Sequence, residues 1–294
     1  MEMDMKHKRL LLHSAILLLV TGQALADAPA QSSSAARASV FLGIQDYYWD
    51  EQDPEGILGA PGQLVEENGY LFELGIGYDN YSLRKPGLIY SINTGIATGN
   101  VEYDGQLQSN DPVDDGRPIT TDVEYFSWDT EGNLGYRFQP TNALFLDLIA
   151  GIGYDFWRRD LQPTSIPTGP NVGESVQGST EYFNLLYSRL TGGLFIPGKR
   201  WDNRFRFGAR WPLYIEETVD QLPGLTLEPK MQMSPFAEWQ LEYKGNAEKV
   251  RLGLSVYFEE TYFEQSDFVP YGTELKYQPE SNRREMGLRL KYFF

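Results

Sequence analysis

Arginine and carboxylate side chains recur at every second position in several segments of this chain, and such groups bind anions, bind cations or exchange protons. Arg204, Arg206 and Arg210 share one parity, as do Glu238 and Glu242 in a later segment. If these positions line a common interior, two kinds of chemistry follow. The arginines could attract an anion into a narrow channel, or they could pair with the carboxylates, because buried charges require partners.

The candidate interior charges are those that alternate with apolar residues in extended segments. The set that we predict to form a charge network comprises Arg137, Asp147, Asp155, Arg189, Arg204, Arg206, Arg210, Glu238, Glu242 and Arg251. Further charges of the same parity are Glu73, Asp129, Glu131, Glu259, Arg289 and Lys291. Positive and negative members nearly balance, which favours a lumen filled by ion pairs. A narrow channel for a small solute, anionic if the arginines select it, is the alternative.

General acid or base catalysis has few candidate residues here. His7 and His13 are the only histidines, and both lie in the predicted leader. Asp147 and Asp155 are eight residues apart on one segment, which places them about 26 Å apart in a strand, too far to act as a pair. We therefore predict that the protein is not an enzyme, and no residue pattern indicates a cofactor or a metal site.

These charges lie in segments whose apolar residues recur with a period of two, which is typical of β-strands. The clearest segment is Gly69 to Asp79, where one face carries Tyr70, Phe72, Leu74, Ile76 and Tyr78. Its two tyrosines are eight residues apart, or roughly 20 Å along the membrane normal for a tilted strand. An apolar band bordered by aromatic rings is typical of a strand that crosses a membrane.

The orientation of the less regular segments follows from charge. In Glu181 to Ile196 both parities contain apolar residues, but Arg189 would cost about 2 to 4 kcal/mol on a lipid face at the middle of a membrane. Leu186, Leu190 and Leu194 are therefore predicted to face lipid.

Two segments in the second half of the chain give further expectations. In Arg204 to Glu216 the alternation places Leu213 and Ile215 together on the lipid face. In Lys230 to Tyr243 the proline at position 235 removes one ladder hydrogen bond, so we predict a bulge there.

The pattern contains ten strands, beginning at Ser39, and long polar connections alternate with short ones. Asp50 to Asn68, Tyr103 to Pro118 and Arg158 to Thr180 are predicted as long loops. Both termini lie on the side of the short connections. The predicted fold class is all-β, a transmembrane antiparallel up-and-down β-barrel of ten strands, with eight or twelve strands as the alternatives.

The last strand, Met286 to Phe294, ends the printed sequence on an aromatic residue, and its apolar face comprises Met286, Leu288, Leu290, Tyr292 and Phe294. It resembles the closing strand of bacterial outer-membrane β-barrel proteins, in which the assembly machinery reads a C-terminal Phe and alternating hydrophobic residues. The resemblance implies an outer-membrane location, contact with membrane lipid and lipopolysaccharide, and recognition by the barrel assembly machinery. Leu288, Leu290, Tyr292 and Phe294 would form that assembly signal. A soluble lipocalin-like binder is the alternative.

Outer-membrane barrels include proteases, phospholipases and enzymes that modify lipid A. The families concerned rely on a histidine, which this chain lacks after residue 26. A count of ten strands resembles the omptin proteases in architecture only.

The N-terminal region has the features of a secretory signal. Basic residues precede an apolar run from Leu10 to Val20, and Ala24 to Ala26 supplies the small residues of a cleavage site. We predict a signal peptide over 1–26, a flexible leader over 27–38 and a barrel domain over 39–294. Without residues 1–26 the chain has 39 acidic and 22 basic side chains, a net charge of −17, which argues against binding of nucleic acid.

A repeated glycine-containing segment and two acidic runs remain, and we interpret both as structural features. Gly75 to Asp79 recurs as Gly151 to Asp155, but neither copy precedes a helix, as a nucleotide-binding loop would require. We interpret these glycines as making room for bulky neighbours in a narrow lumen. The acidic runs from Asp50 to Glu55 and from Asp111 to Asp115 are predicted to be solvated loops. A bridging calcium or magnesium ion is the less favoured reading, because no calcium-loop template matches.

Overall fold

The computed structural model describes residues 36–54, 62–107, 116–244 and 251–294. In that part of the chain ten long antiparallel strands form a closed barrel. The strands are β1 Arg37–Asp53, β2 Gly62–Asp79, β3 Gly87–Gln106, β4 Pro118–Thr141, β5 Leu144–Leu161, β6 Ser179–Pro197, β7 Trp201–Val219, β8 Ser234–Tyr243, β9 Arg251–Glu264 and β10 Glu280–Phe293. Each strand pairs with its neighbours in sequence, and β1 pairs with β10 from Ser39–Phe293 to Gln52–Glu280. The predicted fold class and strand count are confirmed.

The connections divide the barrel into two ends. The turn end carries the connections 80–86, 142–143, 198–200 and 244–250, and the loop end carries 54–61, 107–117, 162–178, 220–233 and 265–279. Short strand pairs in the loop-end connections are Thr164–Ser165 with Ser175–Val176, and Val269–Tyr271 with Glu274–Lys276. The predicted signal peptide and most of the predicted leader lie outside the described residues. Strand β1 begins at Arg37, two residues earlier than predicted.

An apolar band surrounds the outside of the barrel, since period-two alternation places one side-chain row outward. Leu42 is 61% exposed, Phe72 65% and Ile152 55%. On the loop side of this band the outward positions become polar, as at Asp46 and Glu124. The strands continue there, so the barrel extends beyond the band. No helix within the described residues is long and apolar enough to cross a membrane.

The extended strands correct three loop predictions. Glu51 and Glu67, predicted to lie in a solvated loop, face inward from β1 and β2 and are 7% and 0% exposed. Tyr103 of β3 and Arg159 of β5 are also buried strand residues. The alternation of apolar and polar residues disappears in these parts because both faces are mostly polar or aromatic, although the hydrogen-bonded ladder continues.

A bulge in β7 corrects the predicted orientation of Ile215. Leu186 pairs with Tyr214 whereas Tyr187 pairs with Pro212, so Leu213 is an extra residue on β7. The extra residue reverses the parity beyond it. Tyr214 is 47% exposed on the outside, and Ile215 is 6% exposed on the inside.

The predicted bulge at Pro235 is also wrong, because Pro235 pairs in register with Ala209. The interruption comes earlier, between the short strand Lys230–Met231, which pairs with β9, and β8, which begins at Ser234.

The lumen is packed, and the repeated glycines contribute to this packing. A Cβ atom on Gly75 would collide with the ring of Phe41, and one on Gly153 with the ring of Tyr187. The largest apolar cluster occupies the loop half of the lumen and includes Trp49, Trp157 and Phe263.

Candidate functional site

At the turn end, one connection folds into the mouth of the barrel. Tyr81, in the connection 80–86, is 3% exposed, and its carbonyl accepts hydrogen bonds from Arg137 at 2.8 Å and from Arg204 at 2.7 Å. Arg84 of the same connection reaches Asp202 of β7 at 2.8 Å. Side chains and backbone of this connection thus lie across the mouth.

Two buried ion pairs lie beside it. Arg137 of β4 and Asp147 of β5 form two hydrogen bonds, at 2.6 and 2.5 Å, with both side chains almost fully buried. Arg37 of β1 binds Glu242 of β8, which also pairs with Arg251 of β9 at 3.3 Å. Both pairs link neighbouring or nearby strands at the turn end.

The middle of the lumen contains two similar groups of three side chains. Glu73 accepts two hydrogen bonds from Arg289, both at 2.8 Å, and another from the hydroxyl of Tyr257. Glu131 accepts from Arg189 at 2.6 Å and from the hydroxyl of Tyr187 at 3.0 Å. Each carboxylate thus binds one arginine and one tyrosine, and Glu131 also accepts a hydrogen bond from the amide of Asn133 at 2.8 Å. Both buried charges therefore have the partners that they require.

The remaining mid-lumen charges join adjacent strands as well as strands that are far apart in sequence. Glu238 of β8 binds Arg206 at 3.0 Å and Lys291 at 3.4 Å. Asp155 of β5 binds both Arg210 of β7 and Arg283 of β10, at 3.0 and 3.1 Å. The space left between these groups is a polar cavity of about 150 Å³, room for about five waters.

Above the ion pairs, towards the loop end, aromatic rings cross the lumen. Trp157 of β5 stacks on Phe183 of β6 with ring centroids 4.7 Å apart. Trp49 of β1 lies 5.6 Å from Phe183 and 5.6 Å from Phe263 of β9. We call these four residues the aromatic septum. Its rings come from both sides of the barrel, so it spans the lumen.

Arg159 of β5 lies on the loop side of the septum, with its guanidinium 4.7 Å from the Trp49 ring centre. It binds Glu67 at 2.5 Å, Glu181 at 2.6 Å and Glu51 at 3.1 Å. One guanidinium thus serves three carboxylates from three strands. This group was not predicted, because its members were assigned to loops or left unassigned.

The ten predicted network residues all face the lumen, but the structure does not join them into one network. It pairs Arg137 with Asp147, Arg206 with Glu238, Arg210 with Asp155 and Arg251 with Glu242. Arg189 binds Glu131, which was outside the set. Arg204 donates to the Tyr81 carbonyl rather than to a carboxylate.

Several lumen charges escaped the sequence analysis. Arg283 has the same parity as Arg289 on β10, and extending the predicted strand by a few residues would have found it. Asp202 and Arg84 belong to segments predicted as turns, where parity gives no information.

The residues of the predicted assembly signal lie on the outer face of β10. Leu288, Leu290 and Phe294 are 45%, 55% and 69% exposed. Tyr292 packs against Phe294 with ring centroids 4.9 Å apart. The inward Phe293 lies beneath Arg37, 3.8 Å from its guanidinium carbon.

No protein-family description and no curated protein matches this sequence. Among solved structures, the outer membrane protease OmpT from Escherichia coli is similar in fold, with 12% identity, a TM-score of 0.53, and coverage of 91% of this chain and all of that one. The transport unit of the autotransporter AIDA-I from Escherichia coli has 9% identity and a TM-score of 0.40, covering 96% and 97% of the two chains.

These similarities concern the fold alone. The chain has the fold of outer-membrane β-barrel proteins, as its last strand predicted. OmpT is described as a protease, but a similarity of fold at 12% identity does not settle whether this protein is an enzyme.

Proposed function

We propose that the protein is an integral outer-membrane protein whose barrel is sealed by its own side chains, carries no solute, and presents its loop end to the outside of the cell. The apolar band would contact membrane lipid. The polar barrel extension and the long connections would face lipopolysaccharide and the medium, and β10 would be read by the barrel assembly machinery through Leu288, Leu290, Tyr292 and Phe294.

The observation that carries this proposal is the series of contacts that cross the lumen at successive levels. Arg84 and Asp202 join opposite sides of the turn end, Asp155 and Arg283 join β5 to β10, and the aromatic septum closes the loop half. A conducting pore would need a continuous water-filled path, and the central cavity of about 150 Å³ holds only a few waters.

A non-enzymatic role is part of the proposal. It is supported by the lack of histidine after residue 26, since the enzyme families found among outer-membrane barrels rely on a histidine as a base. A narrow channel remains the competing function and is an outcome of the test.

Swelling of liposomes in isotonic arabinose tests the proposal. Insertion is first verified by resistance to unfolding in detergent on a gel without boiling. We expect liposomes that contain the folded protein to swell no faster than protein-free liposomes. Swelling that increases with the amount of inserted protein would contradict the sealed barrel, and a refolded product that stays soluble without detergent would contradict the membrane location.

A further inference from the structure

A cavity of about 710 Å³ opens on the loop side of the aromatic septum, and we call it the cup. Its walls include the apolar side chains of Val65, Ile119, Leu161 and Leu222, together with the ring of Tyr103. The cup lies in the barrel extension, on the loop side of the apolar band. Its size corresponds to that of sites for small organic molecules.

The floor of the cup carries more negative than positive charge. Glu51, Glu181 and Glu217 line it, Glu67 lies beneath them, and Arg159 is the one cation that pairs with this group in the described residues. Lys276, also on the cavity wall, pairs with Glu274 instead, at 2.6 Å. Three of these four carboxylates therefore pair with the same guanidinium.

Glu217 of β7 is the member with no cation beside it. It is 2% exposed and lines the cavity. Its partner in the described part of the chain is the side-chain amide of Gln278, which donates to the two carboxylate oxygens at 3.2 and 2.8 Å when its nitrogen faces them. A carboxylate buried to this degree normally has a cationic partner or is protonated.

The electrostatics of the floor also disfavour negative charge on these neighbouring carboxylates. Burial raises the pKa of Glu181 to about 7, with repulsion from Glu51 and Glu67 adding to the effect and Arg159 opposing it. Burial and the charge of Glu181 raise the pKa of Glu217 well above its ordinary value. A cation that entered the cup would replace protons on these carboxylates.

The arrangement does not fit a metal ion. In the described residues no group of three or more His, Cys, Asp or Glu side chains is placed to hold one. The guanidinium of Arg159 lies among the carboxylates, and the walls above them are apolar. A partner with one positive head and an apolar body satisfies both the floor and the walls.

We infer that the cup is a binding site for an ammonium group carried on an apolar chain, with the ammonium at Glu217 and Glu181 and the chain against the apolar walls. The inference rests on the proposed function in one respect, since the septum that seals the lumen is the base of the cup. Such an ammonium can belong to a free amine or to a lysine side chain of a peptide.

The test uses isothermal titration calorimetry on the full-length folded protein in a non-ionic detergent. The probes are hexylammonium, the uncharged hexanol, and the blocked peptide acetyl-Leu-Lys-Leu-amide. We expect hexylammonium or the peptide to bind at least about tenfold more tightly than hexanol, because the site hydrogen-bonds a charged group. Binding of hexylammonium alone would identify a free amine as the source, and binding of the peptide alone a lysine side chain.

The variant Glu217→Gln keeps the shape of the side chain and removes its charge. We expect this variant to bind the probe with an affinity lower by about tenfold or more. Glu216→Gln is the matched control, because Glu216 is the next residue but faces outward, where it contacts Asn184 and Tyr214, and it should leave binding unchanged. Affinity should also fall by about tenfold for each pH unit below 7, as the ammonium competes with a proton.

Equal binding of hexylammonium and hexanol, or full binding by a folded Glu217→Gln protein, would overturn the inference. The proposed function is judged separately by solute flux. A barrel that passes no solute and binds no amine would refute the binding site in the cup but not the proposed function. A barrel that passes solute and binds the amine through Glu217 would refute the sealed lumen but not the binding site.

Discussion

The guanidinium of Arg84 contacts both carboxylate oxygens of Asp202, at 2.8 and 3.0 Å, although Arg84 follows β2 and Asp202 lies in β7 on the opposite side of the barrel. Lys244, at the end of β8, binds the same carboxylate at 3.0 Å, and the N–H of Gly198 donates to it at 2.9 Å. Three connections of the turn end therefore meet at one buried carboxylate. This contact fixes the connection 80–86 across the mouth of the barrel.

Replacement of Asp202 by Ala should destabilise the barrel by about 3 kcal/mol, because it leaves Arg84 and Lys244 largely buried without their partner. Equilibrium unfolding in urea, followed by tryptophan fluorescence, measures this change. Lys230→Ala is the control, since Lys230 and Asp267 form an exposed pair and exposed pairs contribute little. Equal midpoints for wild type and Asp202→Ala would mean that the connection is not held by this carboxylate.

The buried pair of Arg137 and Asp147 gives a second prediction. Asp147→Ala alone should lower the free energy of unfolding by about 3 kcal/mol, since an unpaired guanidinium remains in the lumen. The double variant Arg137→Met with Asp147→Leu should recover part of this loss, because apolar side chains can replace a buried ion pair. Recovery should be incomplete, since the carbonyl of Leu83 also loses its donor, Arg137. A double variant no more stable than Asp147→Ala would show that the unpaired charge of Arg137 does not cause the loss of stability.

The bulge in β7 predicts a reversal of side-chain direction within two residues. The chain contains no cysteine, so Tyr214→Cys and Ile215→Cys each give one site for a nitroxide label. Collisions with dissolved oxygen, which concentrates in lipid, should be frequent at position 214 and rare at 215. The reverse result would mean that β7 continues in regular register and that Ile215 faces lipid.

The bulge also shows where sequence reasoning fails. Strand number, closure and the lumen direction of Arg189 or Glu238 follow from period-two patterns, because one face must meet lipid and the other the lumen. A single extra residue such as Leu213 reverses that parity without any compositional mark, since Leu213 and Tyr214 both suit a membrane boundary. Pro235, in contrast, looked like a break and was accommodated within the ladder.

The candidate site residues also divide into those that the sequence predicts and those that it does not. Most of the mid-lumen charges lie opposite a lipid-facing row and were predicted, Arg283 being an exception, whereas Glu51, Glu67 and Arg159 lie where the outer face is polar. There, a buried carboxylate in a strand has the same sequence context as a solvated carboxylate in a loop. Partners such as Arg84 and Asp202 depend on which turns fold inward, and this is set by tertiary packing.

The floor of the cup predicts a pH dependence of stability. The pKa of Glu181 is raised in the folded protein to about 7, so the folded state binds more protons than the unfolded state between about pH 4.5 and 7. Stability from this group is therefore present at low pH and is lost as the pH rises, by at most about 1.4 kcal/mol per pH unit for one proton.

The charged groups that act on Glu181 are Arg159, Glu51, Glu67 and Asp220, and Glu217 interacts with it as well. Urea midpoints of wild type and Glu181→Gln, measured from pH 5 to 8, isolate the contribution of Glu181 from those of other titrating residues. The variant should gain stability relative to wild type as the pH rises. A difference that stays constant over this range would contradict the raised pKa.

Ion conductance in a planar lipid bilayer tests the sealed barrel most directly, with wild type compared to a variant in which Arg204, Arg206 and Arg210 are Ala. Wild-type protein should insert into the bilayer and pass no ionic current. The variant should also pass no current, because the aromatic septum and the contact between Arg84 and Asp202 still cross the lumen. Discrete wild-type current steps with anion selectivity that the variant loses would contradict the seal and identify the three arginines as the filter of a pore.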